Sequence, residues 1–293
     1  MNVLGVDIGG TKIRLSVINE EGTIVADKRV PTTFPLYDLL EKEVLSMIEQ
    51  HSSIKAIGIG TAGFVDTKQG KILFMGETLP GWTGTEVKKQ LQQATGLPVS
   101  VNNDANCAAL AEAKIGAGQD YDRMVCMTLG TGLGGGIVMD GEIMSGPNGG
   151  AGEIGHMILY PGGKTCNCGR RGCYEQYISG TALANRIQEA GLSIAPEELF
   201  TNQDNPVAKE IIQSFLFDLA NAIASLQACL DMEVVILGGG VSDSAEYWLD
   251  DLHTQLKPLL LHPIDIKLAQ FGNEAGVLGA AMLVLPAEEV NRR

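Results

Sequence analysis

Apolar and polar positions along the chain alternate between two periods. Val3 to Asp7 reads as a strand, Gly9 and Gly10 as a turn, and Ile13 to Ile18 as a second strand. Glu21-Gly22 is a hairpin-type turn into a third strand, Thr23 to Arg29. The spacing then becomes helical from Leu36 to Gln50, with Leu39, Leu40, Val44, Met47 and Ile48 on one face. Ile54 to Gly60 is a buried strand ending at Thr61-Ala62-Gly63, residues 85–95 are an amphipathic helix, and Val99 to Asn102 is a short strand. Asn103-Asp104 supplies cap residues for a helix from Ala105 to Ile115.

The pattern then restarts. Met124 to Leu129 reads as a strand, Gly130 to Gly135 as a glycine turn, Gly136 to Met139 as a strand, and Asp140-Gly141 as a hairpin turn into Glu142 to Met144. Asp7 to Gly22 runs through strand end, glycine turn, strand and turn in 15 steps, and Thr128 to Gly141 does so in 13. This parallel predicts an internal duplication, two β-rich units each followed by helices. A glycine- and cysteine-bearing insert, 145–175, precedes helices at Leu183 to Ala190 and Val207 to Leu230. Glu233 to Leu237 is a strand, Gly238 to Gly240 a turn, Ser244 to Leu256 a helix, Ile264 to Leu268 a strand and Ala275 to Leu285 a last apolar helix. The expected domains are 1–115, completed by a C-terminal helix over 275–293, and 116–274, which carries the insert.

Composition narrows the function classes. With 45% apolar and 19% charged residues, the chain is not a disordered one. Its 293 residues suit about two domains. Glycine is in excess, 37 residues without a G-X-Y period, so close backbone approaches are expected and collagen is excluded. A net charge of −14 repels phosphate backbones and argues against nucleic-acid partners. No stretch reads as a signal peptide or membrane span, which predicts a cytoplasmic protein with reduced cysteines. Cys107, Cys126 and Cys229 sit in apolar surroundings and read as small buried hydrophobes.

Three strand ends run into glycine turns: Asp7-Ile8-Gly9-Gly10-Thr11-Lys12, Gly130-Thr131-Gly132-Leu133-Gly134-Gly135-Gly136, and Gly238-Gly239-Gly240. Glycine lets backbone N–H groups approach phosphate oxygens, although any one of these turns alone reads equally as a plain hairpin. Gly130, Gly132 and Gly135 match G-x-G-x-x-G, but a strand follows where a dinucleotide fingerprint needs a helix. No P-loop motif occurs either. Two facing glycine hairpins can instead grip a polyphosphate, with Asp7 positioning hydrated Mg²⁺ to offset its charge. Together and in this order, DIGGTK, LGTGLGGG and the later LGGG resemble the nucleotide site of the sugar kinase, actin and heat-shock ATPase fold. That resemblance implies a duplicated α/β fold of the ribonuclease H-like kind, with ATP and substrate in an interdomain cleft.

His156, Cys166, Cys168 and Cys173 form a Cys₃His set suited to a closed, structural zinc site, with a disulfide pair or three thiols as the other readings. Such a brace fixes Glu153 and Glu175 as possible acceptors for sugar hydroxyls, solvated loop acids being the alternative. Glu153-Ile154-Gly155-His156 followed by Cys166-Asn167-Cys168-Gly169-Arg170-Arg171-Gly172-Cys173-Tyr174-Glu175 resembles the signature of the ROK family of repressors, open reading frames and kinases. The resemblance runs from Asp7 to Gly279. It implies a Mg-ATP-dependent hexose kinase acting at the 6-hydroxyl, glucose first, and a homodimer. It assigns His156 to both zinc and sugar, and Glu153, Glu175 and Gly63 to the sugar. In Asn102-Asn103-Asp104-Ala105-Asn106 it makes Asp104 the catalytic base and Asn103 a sugar contact, although Asp104 also stands where a helix N-cap would stand. A helix N-terminus is expected to keep that carboxylate ionised. The nucleotide contacts implied are Asp7, Gly9, Gly10, Thr11, Lys12, Gly130, Thr131, Gly132, Gly134, Gly135, Gly238 and Gly239.

Two positions depart from glucokinase-like members. Ala62 replaces a proline, and Thr78 in Thr78-Leu79-Pro80-Gly81-Trp82 replaces an asparagine that contacts sugar. N-acetylmannosamine, another hexose or a β-glucoside therefore stays open as the acceptor. The competing classes are a sugar-sensing repressor, which carries an N-terminal DNA-binding segment where this phosphate motif already starts at residue 7, and a catalytically idle sugar sensor.

Overall fold

Two five-stranded sheets of the same order carry the fold. The computed structural model describes residues 1–285. In chain order the strands and helices are β1 (Asn2–Ile8), β2 (Lys12–Ile18), β3 (Ile24–Pro31), α1 (Leu36–Gln50), β4 (Ile54–Thr61), β5 (Phe64–Asp66), β6 (Lys71–Phe74), α2 (Val87–Thr95), β7 (Val99–Asn103) and α3 (Asp104–Ile115). There follow β8 (Arg123–Leu129), β9 (Leu133–Met139), β10 (Glu142–Ile143), α4 (Glu175–Ile178), α5 (Gly180–Glu189), α6 (Pro196–Leu199), α7 (Pro206–Leu230), β11 (Val234–Gly238), α8 (Leu249–Leu256), β12 (Asp265–Leu268) and α9 (Ala275–Met282). The sheets run β3-β2-β1-β4-β7 and β10-β9-β8-β11-β12. Each therefore numbers its own strands 3-2-1-4-5, the repeat that the two glycine hairpins predicted.

The chain divides into two compact units. One holds Met1–Asp122, Gly136–Gly152 and the segment from Gln270 onward, and the other Arg123–Gly135 and Glu153–Ala269. In the first, β1 pairs antiparallel with β2 and parallel with β4, which pairs parallel with β7. The register sets Asp7 opposite Gly60, and Thr61 opposite Asn103. The carboxyl ends of three parallel strands thus line up at the point where strand order reverses, the usual place for ligands in an open α/β sheet. The core beneath is aliphatic: Leu4, Val6, Leu15, Val17, Ile57 and Val101, among others, lie against Leu40 and Val44 of α1. In the second unit, β11 pairs parallel with both β8 and β12, and Thr128 stands opposite Gly238.

Helix α7 has the length and composition to cross a membrane. Most of its apolar residues, including Ile212, Phe215, Leu216, Leu219 and Ile223, are instead buried within the protein, while Val207 and Phe217 are exposed.

The elements depart from the sequence reading in four places. The second glycine turn is shorter than predicted: only Gly130, Thr131 and Gly132 lie outside strands, while Gly134 and Gly135 extend β9. Glycine in an inner strand removes side chains rather than the ladder, so hairpin pairing continued through them. The helix expected over Ser244 to Leu256 is a 3₁₀ segment, Gly240–Tyr247, followed by α8, broken at Trp248 with φ −140° and its indole fully buried. The β5–β6 hairpin and the short helices α4 and α6 carried no periodicity long enough to read. The last helix ends at Met282, and residues 286–293 of the predicted C-terminal helix lie outside the described residues.

Candidate active site

In the first unit the site gathers at the ends of β1, β4 and β7. Asp104 was expected as a possible N-cap; the cap is Asn103. Its Oδ1 accepts from the N–H of Ala105 (2.9 Å) and of Asn106 (3.2 Å), while its Nδ2 donates to the carbonyl of Gly63 at 3.2 Å. Asn103 thereby ties α3 to the end of β4. Asp104 is the first helical residue, and its Oδ1 accepts from Ala105 N–H at 2.9 Å. Burial raises its carboxyl above the usual 3.8, and backbone and Asn103 hydrogen bonds pull the other way. The helix terminus therefore does not by itself keep this group strongly acidic.

Asp7, the penultimate residue of β1, lies nearby. Its carboxyl is pushed up to about 6, first by burial and then by the charge of Asp104, with Lys12 and Arg14 opposing. A buried carboxylate raised further by a neighbouring carboxylate marks a place where a cation would relieve the repulsion. Gly276, in the first turn of α9, lies against Asp7: a side chain there would put its Cβ 2.9 Å from Asp7 Oδ2. Asp7, Gly9, Thr11 and Lys12 also line a cavity of about 120 Å³ with Arg14, Arg29 and Asn273. Arg14 is buried and paired with Asp27 (2.7 Å) and Glu274 (2.8 Å). Gly10 is covered by the methyl group of Thr78. Sequence reasoning missed Arg14, Arg29, Asn273 and Gly276. The one available signal was a charged residue on a face of β2 that the alternation placed inside.

In the second unit the turn Gly130–Gly132 is fixed by α5. Gly180 N–H donates to Gly130 O (2.7 Å) and Thr181 Oγ1 to Thr131 O (2.7 Å). Gly238 closes β11, and Gly239 follows at φ +86°, ψ 166°, a region open essentially to glycine alone. A Cβ on Gly239 would meet the Leu129 backbone at 2.6 Å. Gly130, Thr131, Thr181, Phe200, Val241 and Tyr247 help line a cavity of about 740 Å³, within the range of small-molecule sites.

The insert supplies the third part. Glu153 precedes a 3₁₀ turn, Ile154–His156. The ligand atoms of His156, Cys166, Cys168 and Cys173 all lie within 4.8 Å of one another. His156 Nδ1 is 3.7 Å from Cys166 Sγ, and the Cys168 and Cys173 sulfurs are 3.6 Å apart. Ligand atoms about 2.3 Å from a tetrahedral zinc stand roughly 3.8 Å from each other, so spacing and donor set both fit that ion. Glu175 begins α4, and its Oε2 accepts from Leu133 N–H at 3.1 Å, beside Gly132.

This combination of glycine turns, acid-headed helix and Cys₃His insert agrees with the sequence match to the ROK family over residues 3–287. The chain belongs to the ROK family. Its relatives include a Streptomyces coelicolor glucokinase, 36% identical over 96% of both chains. An N-acetylmannosamine kinase of Escherichia coli is 34% identical over 97% of this chain and 99% of its own. Among solved structures, a ROK glucokinase from Streptomyces griseus in complex with glucose and AMPPNP is 35% identical, covers 97% of this chain and 99% of its own, and superposes with a TM-score of 0.78. The duplicated sheets are the actin-like ATPase fold of these ROK sugar kinases.

The sequence-predicted residues fall into three groups in this ROK protein. Asp7, Gly9, Gly10, Thr11, Lys12, Gly63, Asn103 and Asp104 meet at one sheet end of the first unit. Gly130, Thr131, Gly132, Gly238 and Gly239 meet at the corresponding end of the second. His156 and the three cysteines meet at the insert, with Glu153 and Glu175 flanking them in sequence. Gly134 and Gly135 lie along β9, beyond the turn proper.

Proposed function

We propose that the protein transfers the γ-phosphoryl group of ATP to the 6-hydroxyl of a hexose, with glucose the first substrate. The observation that carries this reading is the division of labour at α3. Asn103 takes the helix cap, which leaves the Asp104 carboxylate to serve as base. A carboxylate is a weak base toward an alcohol, but in a loose phosphoryl-transfer transition state the hydroxyl proton becomes acidic late. A buried carboxylate of raised pKa within hydrogen-bond reach then accepts it.

Hexose contacts are assigned to Gly63, Asn103, Asp104, Glu153, His156 and Glu175. With Nδ1 of His156 turned to the cysteine sulfurs, Nε2 remains to bond a sugar hydroxyl. Asn103 already spends its carbonyl on the cap and one N–H on Gly63, so it has one N–H left for the sugar. Phosphates are assigned to the backbone N–H groups of the glycine turns and to Lys12. Asp7 would hold hydrated Mg²⁺, which when present neutralises charge on the transferred phosphoryl group. The His156, Cys166, Cys168 and Cys173 set would hold a structural zinc. The described cysteines form no disulfide, as metal ligation requires. A homodimer is the working assembly, checked by mass in solution.

One observation favours a second acceptor. Thr78 lies over Gly10 rather than offering the longer amide that glucokinase-like members carry, and an N-acetylmannosamine kinase stands among the relatives. Hexose-dependent ADP release across glucose, mannose, fructose, their N-acetylamino relatives and β-glucosides, ranked by kcat/KM, tests both readings. Glucose is expected to lead. N-acetylmannosamine in first place transfers the assignment to the second reading, and no hexose-dependent ADP release rejects both.

A further inference from the structure

The metal-ligating cluster ties the insert to itself; a separate network ties it to the helices of the second unit. Tyr160, midway between His156 and Cys166, donates from Oη to Asp218 Oδ1 of α7 at 2.5 Å. Asp218 is almost wholly buried, and its other oxygen pairs with Arg186 of α5. Arg186 also donates to the carbonyl of Tyr177 (2.9 Å) and to Ser214 Oγ (2.6 Å). Tyr177 in turn packs edge-on against the Tyr160 ring, with centroids 4.8 Å apart, and its Oη accepts from Lys164 N–H at 2.8 Å. Tyr160 and Leu159 both donate through backbone N–H to Gly172 O, next to the ligand Cys173.

Burying a carboxylate and a guanidinium is costly, and such a pair is weak evidence for stability as such. What this network does is geometrical. It closes around α4, a helix of only four residues that starts at Glu175. On one side α4 is held through Cys173 and the metal cluster. On the other it is held through Tyr177, by Arg186 at the carbonyl and by Tyr160 and Lys164 at the ring and hydroxyl. So short a helix has little stability of its own, and the direction in which it presents Glu175 is set by these two anchors together with Leu133 N–H, from which Glu175 Oε2 accepts.

We propose that Tyr160, Asp218 and Arg186 form a second anchor, separate from the metal cluster, that positions Glu175 for the hexose. They are positioning residues: none is assigned to sugar, nucleotide or metal. This inference rests on the assignment of Glu175 to the sugar, so its test includes that assignment.

Tyr160→Phe keeps the ring against Tyr177 and removes only the hydrogen bond to Asp218. The expected result is a hexose KM raised about 3- to 10-fold, the scale of one lost hydrogen bond to a charged group after partial relaxation. The KM for ATP and the zinc content are expected to stay unchanged, and kcat to change less than twofold. Glu175→Gln alone is expected to raise hexose KM further, and the double variant to equal Glu175→Gln, because both changes act through one carboxylate. An unchanged hexose KM in folded Tyr160→Phe, with Glu175→Gln impaired, overturns the anchor. An unchanged KM in Glu175→Gln overturns the sugar assignment instead. Equal rises in the hexose and ATP KM of Tyr160→Phe, or loss of zinc, also overturn the anchor, since they show general loosening of the unit. Asp218→Asn serves as a second variant, expected to follow Tyr160→Phe if it folds.

Discussion

The two β-hairpins with glycine turns have the same place in sheets of the same order, yet they carry opposite chemistry. At the first, Asp7 stands one residue before the end of β1, and Lys12, Arg14 and Arg29 surround the turn. At the second, β8 ends in Thr128-Leu129, and the turn Gly130–Gly132 is held by backbone and hydroxyl groups of α5. The element after the adjoining parallel strands differs in the same sense. The fifth strand of the first sheet, β7, leads into α3 with its acid Asp104, whereas its counterpart β12 leads toward the apolar helix α9. Duplication thus fixed the scaffold, while the strand-end acids Asp7 and Asp104 and the cations collected in one copy; the second turn is held mainly by backbone and hydroxyl groups, with the Glu175 carboxylate at its edge on Leu133 N–H. The proposed phosphoryl transfer would draw on both: a base and a cation holder from the first copy, and close backbone donors from both glycine turns.

The largest expected effect breaks the comparison on its charged side. Asp104→Asn keeps the shape and the Asn103 cap but removes the proposed base. It should lower kcat by about 10²–10⁴-fold, in the range of general-base contributions. Circular dichroism and Tm should stay close to those of the parent. The wild-type acid limb gives a further check. Because burial raises the Asp104 carboxyl, activity should fall as pH drops through a value above the ordinary 3.8. Near-normal turnover in the variant, by coupled ADP release, would remove Asp104 from the mechanism.

The next effect tests the neutral side. Gly239→Ala places a methyl group 2.6 Å from the Leu129 backbone in a conformation that only glycine readily adopts. A loss of about 1–3 kcal/mol in unfolding free energy is expected from the strain. In the fraction that folds, KM for ATP should rise with little change in KM for hexose. If the hexose KM rises instead, the second glycine turn does not serve the nucleotide, and the proposed split between the copies fails.

Removal of the metal is expected to act between these. A chelator that strips the Cys₃His set should lower hexose affinity and Tm more than ATP affinity, because Glu153, His156 and Glu175 depend on the insert. Metal analysis of freshly purified protein should find about one zinc per chain for a closed four-ligand site. Equal losses for both ligands would mean that the insert stabilises the unit generally rather than shaping the sugar contacts.

How much of this was legible in the sequence follows from the range over which each signal acts. Strands β1, β2, β8 and β11 announced themselves because consecutive apolar residues and glycine turns are local. The Cys₃His cluster was legible because its donors are few in kind and closely spaced. The cap at α3 was misplaced by one residue: Asn and Asp are nearly equal N-caps, and only backbone geometry decides between Asn103 and Asp104. Gly276 against Asp7, and Arg14 between Asp27 and Glu274, join residues about 260 positions apart. No periodicity reports such a contact. The β5–β6 hairpin and α4 were too short to show a period at all.

The smallest effect asks whether the second copy is as indifferent to charge as its glycine turn suggests. At the end of α7, His262 Nε2 faces Asp231 Oδ1 at 2.8 Å, and its Nδ1 lies near Pro263 O (3.2 Å). The Pro263 carbonyl and then the Asp231 carboxylate favour the protonated ring and raise its pKa above 6.5. A histidine with a raised folded-state pKa adds stability that is fully present below the unfolded value, near 6.5, and is lost as pH rises through the folded value. Wild type and His262→Gln should therefore differ most in Tm below pH 6 and converge above neutrality. The group is exposed, so added salt should narrow the low-pH gap. Neither variant should change KM for ATP or hexose at any pH, because His262 stands at the far end of α7 from the α5 contacts that hold the glycine turn. A pH-dependent KM for ATP that disappears in His262→Gln would show charge reaching the nucleotide side after all, and the contrast between the two copies would have to be redrawn.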